Sequence, residues 1–157
     1  MRVLELLASN RWTGPAEPVA SVARELVRRG HAVEIAVETA RGGTIVPKLR
    51  ELGLVVREDL GLGPRSGALG FLRDLRRLAG IAREFDVLHA NFSHDHLLSL
   101  LALWRRGPRR VIRTIGGSGA DPVTLLAVDD DPMAIELLRA SLEPAGFAVL
   151  TAGNGAE

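Results

Sequence analysis

Within eight positions the chain carries His89, Asn91, Ser93, His94, Asp95 and His96, its densest group of side chains able to do chemistry. Imidazole titrates near neutral pH, so a histidine here can exchange protons with a bound ligand or hold a metal ion. Asn91 can hydrogen-bond a hydroxylated ligand but is neither acid nor base at neutral pH. Zinc is one use of such a group, although His94 and His96 at a helix start diverge by about 200° and would need ligands from elsewhere. A Ser93-His94-Asp95 triad is disfavoured, because triad members meet through the fold and not as sequence neighbours. The blander alternative has Ser93 capping a helix and the two histidines on the rim of a cleft.

Two further groups stand apart from this one. Asp129 and Asp130 are adjacent carboxylates that can hold a hard cation such as Mg²⁺, which takes oxygen ligands and keeps its waters, while Asp131 reads as an N-cap before Pro132. The stretch Ser9-Asn10-Arg11-Trp12-Thr13-Gly14-Pro15 leads into a helix, where free amides and the helix dipole favour an anion; a turn fitted to start the helix explains it equally. With no cysteine in the chain, disulfides, thiolate metal sites and thiol nucleophiles are excluded.

The elements that must position these residues are legible from periodicity. Residues 2–8, 33–38, 54–57, 86–90 and 110–114 are short runs rich in Val, Leu and Ile, as buried parallel strands are. Ala16 to Arg29 places Val19, Val22, Ala23, Leu26 and Val27 on one helix face, and Gly30 supplies the stop, with His31 a turn residue. Leu69 to Glu84 repeats the design with Leu72, Leu75, Leu78, Ala79 and Ala82. Alternating strands and helices predict a doubly wound, mostly parallel α/β sheet, whose ligands bind beyond the carboxyl ends of the strands, at loops 9–15 and 91–95.

Composition and charge frame the whole. The chain has 157 residues, 46% apolar and 25% charged, which suits one soluble domain or a domain with part of another. Its longest nearly apolar run, Leu97 to Trp104, is far short of the ~20 residues of a membrane span, and its start has no signal-peptide pattern, so a cytoplasmic location is expected. The net charge of +1 hides two unlike parts: residues 1–115 hold 19 Lys and Arg against 12 Asp and Glu, and residues 116–157 hold 1 against 7. Between them Gly116-Gly117-Ser118-Gly119-Ala120-Asp121-Pro122 reads as a flexible connector, giving a linker at 116–122 between units 1–115 and 123–157. The arginines Arg73, Arg76 and Arg77, and Arg105, Arg106, Arg109 and Arg110, form basic faces that are solvated by default and can also meet anionic lipid. No aromatic interleaving supports nucleic-acid binding.

Four stretches carry a family resemblance: Arg11-Trp12-Thr13-Gly14-Pro15-Ala16-Glu17, Leu26 through Arg29-Gly30-His31-Ala32-Val33, Asp86-Val87-Leu88-His89-Ala90, and Ser93-His94-Asp95-His96. Over residues 1–115 the chain resembles the N-terminal Rossmann-like domain of family 4 glycosyltransferases of the two-domain GT-B type. The resemblance implies a domain that holds the acceptor, a sugar or lipid-linked molecule, while a second domain holds the nucleotide sugar. It places Thr13 and Gly14 in the loop that approaches the donor diphosphate. It makes His89 the first imidazole of a His-Ala-His-like motif whose second member is here Asn91, and it leaves His89, Asn91 and His94 as vestigial catalytic candidates. A nucleotide sugar is expected only with a donor domain supplied.

A second resemblance rests on Leu125-Leu126-Ala127-Val128-Asp129-Asp130-Asp131-Pro132, Leu137-Leu138, Glu143-Pro144-Ala145-Gly146-Phe147 and Ala152-Gly153-Asn154-Gly155-Ala156-Glu157. Residues 123–157 resemble the first third of a response-regulator receiver domain. By that resemblance Asp129 and Asp130 are the pair that holds Mg²⁺, weakly here, and the chain ends before the phosphorylated aspartate, so no exchange with a histidine kinase is expected. Adding this βαβ unit to the first five strands predicts about seven strands in the order 3-2-1-4-5-6-7, reached through a right-handed crossover. The combined expectation is a chimeric or truncated chain that requires no cofactor and has no complete active site.

Overall fold

A computed structural model of the chain describes residues 1–39, 43–62, 67–104, 110–115, 124–128, 132–145 and 148–152. The elements run β1 (Arg2–Leu7), α1 (Ala16–Arg28), β2 (Ala32–Val37), α2 (Ile45–Glu51), β3 (Val55–Arg57), α3 (Gly67–Ile81), a 3-10 turn (Ala82–Glu84), β4 (Val87–Ala90), α4 (Ser93–Trp104), β5 (Arg110–Ile115), β6 (Thr124–Val128), α5 (Pro132–Leu142), a second 3-10 turn (Glu143–Ala145) and β7 (Ala148–Ala152). Strands β3-β2-β1-β4-β5 pair in that order and all in parallel. This is the Rossmann-like order expected from alternating strands and helices, and it puts the carboxyl ends of β1, β4 and β5 side by side.

Strand alternation sorts the core into two layers. Val3, Leu7, Val33, Ile35, Val37, Val87 and Ile112 pack under Val19, Ala20 and Ala23 of α1 and Ile45 and Leu49 of α2. Leu4, Leu6, Leu88 and Val111 face the other way, against Leu75, Leu78 and Ala79 of α3, Ala82, Phe85, and Leu98 and Ala102 of α4. Each fully buried leucine contributes about 1.5–3 kcal/mol, whereas an exposed pair such as Arg28 with Glu25 is screened by water and contributes little. The two layers, not the surface ion pairs, therefore hold the sheet.

Helix α1 ends as its sequence predicts. Gly30 takes φ +83, its N–H donates to Val27 O at 2.9 Å, and the N–H of His31 donates to Leu26 O at 3.0 Å, a Schellman pair that makes His31 a turn residue. Helix α2 is not foreshadowed by periodicity, because it is two turns long, carries Pro47 in its first turn and buries only Ile45 and Leu49. The phase of α3 also differs from expectation. Leu72 is 51% exposed while Asp74 is fully buried, its carboxylate accepting the N–H groups of Gly61 and Leu62 at 3.0 Å each. That tie fixes the loop after β3, where Leu62 is held at φ +43, and a Cβ on Gly61 would lie 3.1 Å from the Asp74 carboxylate.

Beyond β5 the sheet changes sense. β6 pairs antiparallel to β5, with Ile112 opposite Ala127 and Thr114 opposite Leu125, and β7 pairs parallel to β6. The expected right-handed crossover between β5 and β6 is thus absent, for a physical reason: only residues 116–123 separate the strands, and a parallel return needs a dozen or more. Among the described residues no helix is long and apolar enough to cross a membrane.

Candidate functional site

Three strands meet in a buried polar network at the carboxyl end of the sheet. Glu5 lies in β1 opposite His89 of β4. Its side chain is fully buried, and His89 Nδ1 sits 3.0 Å from Glu5 Oε1 and 2.8 Å from Oε2. On its other side His89 Nε2 lies 2.7 Å from Thr114 Oγ1 of β5. Asn91 Nδ2 donates to Glu5 Oε2 at 3.2 Å and to Leu6 O at 3.1 Å. An ionised carboxylate only accepts, so Glu5 assigns a proton to Nδ1, while the Thr114 hydroxyl can either donate to Nε2 or accept from it. His89 and Asn91 are thereby brought together, and Glu5, which joins them, is not suggested by their spacing.

Helix α4 starts one residue beyond Phe92, whose carbonyl accepts the N–H of His96 at 3.0 Å. Ser93 is the first helical residue and not the cap, its hydroxyl accepting from Arg113 Nη2 at 2.8 Å. Asp95, fully buried, accepts the Ala8 N–H at 3.1 Å and so ties the end of β1 to α4. Burial pushes its carboxyl up to about 7, against the pull of the Ala8, Phe92 and Asn91 amides. Burial, and secondarily the Arg113 guanidinium, holds the His96 imidazole below its ordinary value. His94 turns away from this group and meets the Phe71 ring edge-on at a centroid distance of 5.6 Å. The divergence expected of His94 and His96 is present, and among the described residues no group of three or more metal-ligating side chains forms.

The loop into α1 is fastened from outside. Asn10 O accepts the N–H groups of Thr44 and Ile45, and the Trp12 N–H donates to Thr44 Oγ1 at 3.0 Å. Trp12 and Phe92 both pack on the layer under α1, so loops 9–15 and 91–95 rest on the same core layer. Thr13 and Gly14 are exposed, and a Cβ on Gly14 would meet nothing within 4 Å, so its backbone is open to close approach. The helix end itself offers less to an anion than its position suggests. Pro15 and Pro18 have no N–H, and Ala16 donates its own to Thr13 O at 2.8 Å, which leaves the amide of Glu17, beside that residue's own carboxylate. Asp129 and Asp130, the expected Mg²⁺ pair, lie outside the described residues.

The model of the glycosyl transferase 4-like domain matches residues 13–148. The chain belongs to that family. The match covers residues 13–15 of the first loop, loop 91–95, β4, α4 and β5, and it continues through β6 and α5, where residues 123–157 are expected to resemble a receiver. Among solved structures, a glycosyltransferase from Rickettsia africae superposes with a TM-score of 0.57 at 16% identity, over 96% of this chain and 42% of that one. MurG from Acinetobacter baumannii gives 0.50 at 11% identity, over 96% and 67%, and a pyrroline-5-carboxylate reductase from Coxiella burnetii gives 0.53 at 12% identity, over 97% and 59%. These likenesses speak to the fold alone, and a reductase among them shows how little chemistry the fold fixes. No curated protein matches the chain. This glycosyl transferase 4-like domain thus spans less than half the length of the Rickettsia enzyme. Its buried Glu5 and the half-buried Arg113 and Thr114 are functional candidates that spacing alone passes over. The one signal for Glu5 is a lone acid inside the apolar run Val3 to Leu7.

Proposed function

We propose that this domain is the acceptor-side half of a nucleotide-sugar glycosyltransferase and has no complete active site by itself. The family match over residues 13–148 is the observation that carries this reading. In it, the crevice beyond β1, β4 and β5 holds a sugar or lipid-linked acceptor, with His89 and Asn91 at its floor. Thr13 and Gly14 approach the diphosphate of a nucleotide sugar that a separate donor domain presents, and the exposure of Gly14 suits that role. His94, packed on Phe71, lies at the margin of the site. The exposed Arg76, with Arg73 and Arg77 on the same helix, faces outward and can rest on an anionic membrane surface from the cytoplasmic side.

The unit at residues 123–157 completes the proposal as the far edge of one seven-stranded sheet, joined through the connector at 116–122. The family match reaching residue 148 and the pairing of β6 on β5 support its place in the domain. Receiver ancestry of that unit is the alternative, and it rests on the sequence around Asp129 and Asp130. It predicts weak Mg²⁺ binding there and no phosphorylation.

The test is sugar transfer from labelled uridine- and guanosine-diphosphate sugars to a panel of glycan and lipid-phosphate acceptors. The chain alone is expected to give no product above the enzyme-free rate. Glycosylated product formed by the chain alone would overturn the claim that a donor domain is needed.

A further inference from the structure

Arg113 is a half-buried cation without an acidic partner among the described residues. It leaves β5 on the face it shares with Val111, towards α4, where its Nη2 donates to the exposed Ser93 Oγ at 2.8 Å. Its Nε is closed off from water and has no acceptor among the described residues. Withdrawing a guanidinium from water is costly unless an anion meets it, and the similarly half-buried Arg57 lies against both Glu34 and Asp59. The acids near Arg113 are engaged elsewhere: Glu5 faces the opposite layer and holds His89 and Asn91, and Asp95 accepts the Ala8 N–H. Burial, and after it the Arg113 charge, holds the His96 imidazole below its ordinary value, so the field of the guanidinium reaches its neighbours.

We propose that Arg113, together with Ser93 and the first turn of α4, binds the terminal phosphate of a phosphomonoester at the carboxyl end of β5. The inference rests on the acceptor-side reading above and deepens it, since it makes the acceptor a phosphorylated molecule whose phosphate is seated here. A guanidinium meets phosphate through paired N–H groups, which a lysine in its place would not supply. The Ser93 hydroxyl, which accepts from Arg113, keeps its own proton to donate to a phosphate oxygen. The amides of Ser93, His94 and Asp95 open α4 without a backbone acceptor among the described residues and add donors at the same helix end. Because Nε is closed to water, only the end of a ligand reaches the guanidinium. That favours a terminal phosphate over the diphosphate of a nucleotide sugar, which is substituted on both sides. The site orients the acceptor and exchanges no proton with it.

The test titrates methyl phosphate, dimethyl phosphate, acetate and glucose into the ¹⁵N-labelled chain at constant ionic strength, with phosphatidylcholine vesicles with and without phosphatidic acid as further arms. Methyl phosphate is expected to shift the Arg113 Nε–H and the amides of Ser93 to His96 and to saturate, with dimethyl phosphate and acetate at least about tenfold weaker. Arg113→Gln is expected to weaken methyl phosphate by about tenfold or more, and Arg113→Lys, which keeps the charge and loses the fork, to fall between. The comparison of ligands on the unaltered chain decides the matter if the glutamine variant does not fold. Phosphatidic acid vesicles that bind more tightly than methyl phosphate, and lose that binding in Arg113→Gln, would assign the phosphate to a lipid. Methyl phosphate binding without vesicle binding would assign it to a soluble acceptor, and either result supports the site. No saturation with methyl phosphate or vesicles, equal binding of dimethyl phosphate, or an unchanged affinity in Arg113→Gln would overturn it. Glucose shifts at residues 8–14 and 91–96 with no phosphate response would leave the acceptor-side reading standing and remove this one. A phosphate site on a chain that binds no acceptor sugar would do the reverse.

Discussion

His89→Ala is expected to destabilise the domain by about 3–5 kcal/mol, the cost of leaving a buried carboxylate with one of its two partners gone. Glu5 would keep only the Asn91 amide at 3.2 Å, at the centre of a sheet where water does not reach it. Against a total stability of about 5–15 kcal/mol for an ordinary domain, such a loss leaves a chain that melts close to working temperature. The sign reverses in combination. Replacing both members, as in Glu5→Leu with His89→Leu, removes the charge along with its partner, and the double variant is expected to be more stable than His89→Ala alone. Urea denaturation of the three proteins reads this directly. A loss under about 1 kcal/mol for His89→Ala would mean that Glu5 is not buried against it.

The second large effect concerns Asp95 and is read as a dependence on pH. Its carboxyl is raised from an ordinary 3.8 to about 7, chiefly by burial between the end of β1 and the first turn of α4. A raised carboxyl favours the protonated folded state, so its contribution is complete below pH 3.8 and is lost as pH rises through about 7. The shift corresponds to roughly 4 kcal/mol across that window. Asp95→Asn cannot ionise and can still accept the Ala8 N–H. It is expected to match the parent at pH 4, apart from about 1 kcal/mol for its unpaired amide, and to exceed it by about 2–4 kcal/mol at pH 8. Parallel stability profiles of the two proteins between pH 4 and 8 would contradict the burial of this group. Asp95 ties the end of β1 to the start of α4, so the parent should hold these segments less firmly at pH 8 than at pH 5.

The parts of the fold legible in the sequence are those in which one periodic pattern dominates. The five parallel strands, α1 with its Gly30 stop, and the β6-α5-β7 order follow from apolar runs and their punctuation. Loops 9–15 and 91–95 follow as the candidate site because parallel strand order fixes where a crevice opens. The misses have local causes. The helix α3 turns Asp74 inward and Leu72 outward because two loop amides, at Gly61 and Leu62, need an acceptor, and a count of apolar residues contains no such demand. Glu5 and Thr114 are single polar residues within strands. Their importance comes from cross-strand pairing with His89, which joins positions 84 and 25 residues apart. The antiparallel entry of β6 is set by the length of the connection before it, a constraint on reach and not on pattern.

The central claim is that acceptors bind at the carboxyl ends of β1, β4 and β5, and chemical-shift mapping of the amides tests it most directly. Mono- and oligosaccharide acceptors, with and without a lipid phosphate, are titrated into the ¹⁵N-labelled chain alongside nucleotide sugars. The account predicts saturable shifts at residues 8–14, 91–96 and 113–114 with an acceptor, and no saturation with a nucleotide sugar alone. A saturable nucleotide-sugar site with no acceptor response, or shifts confined to the opposite strand ends at residues 2–3, 31–33 and 85–87, would contradict it.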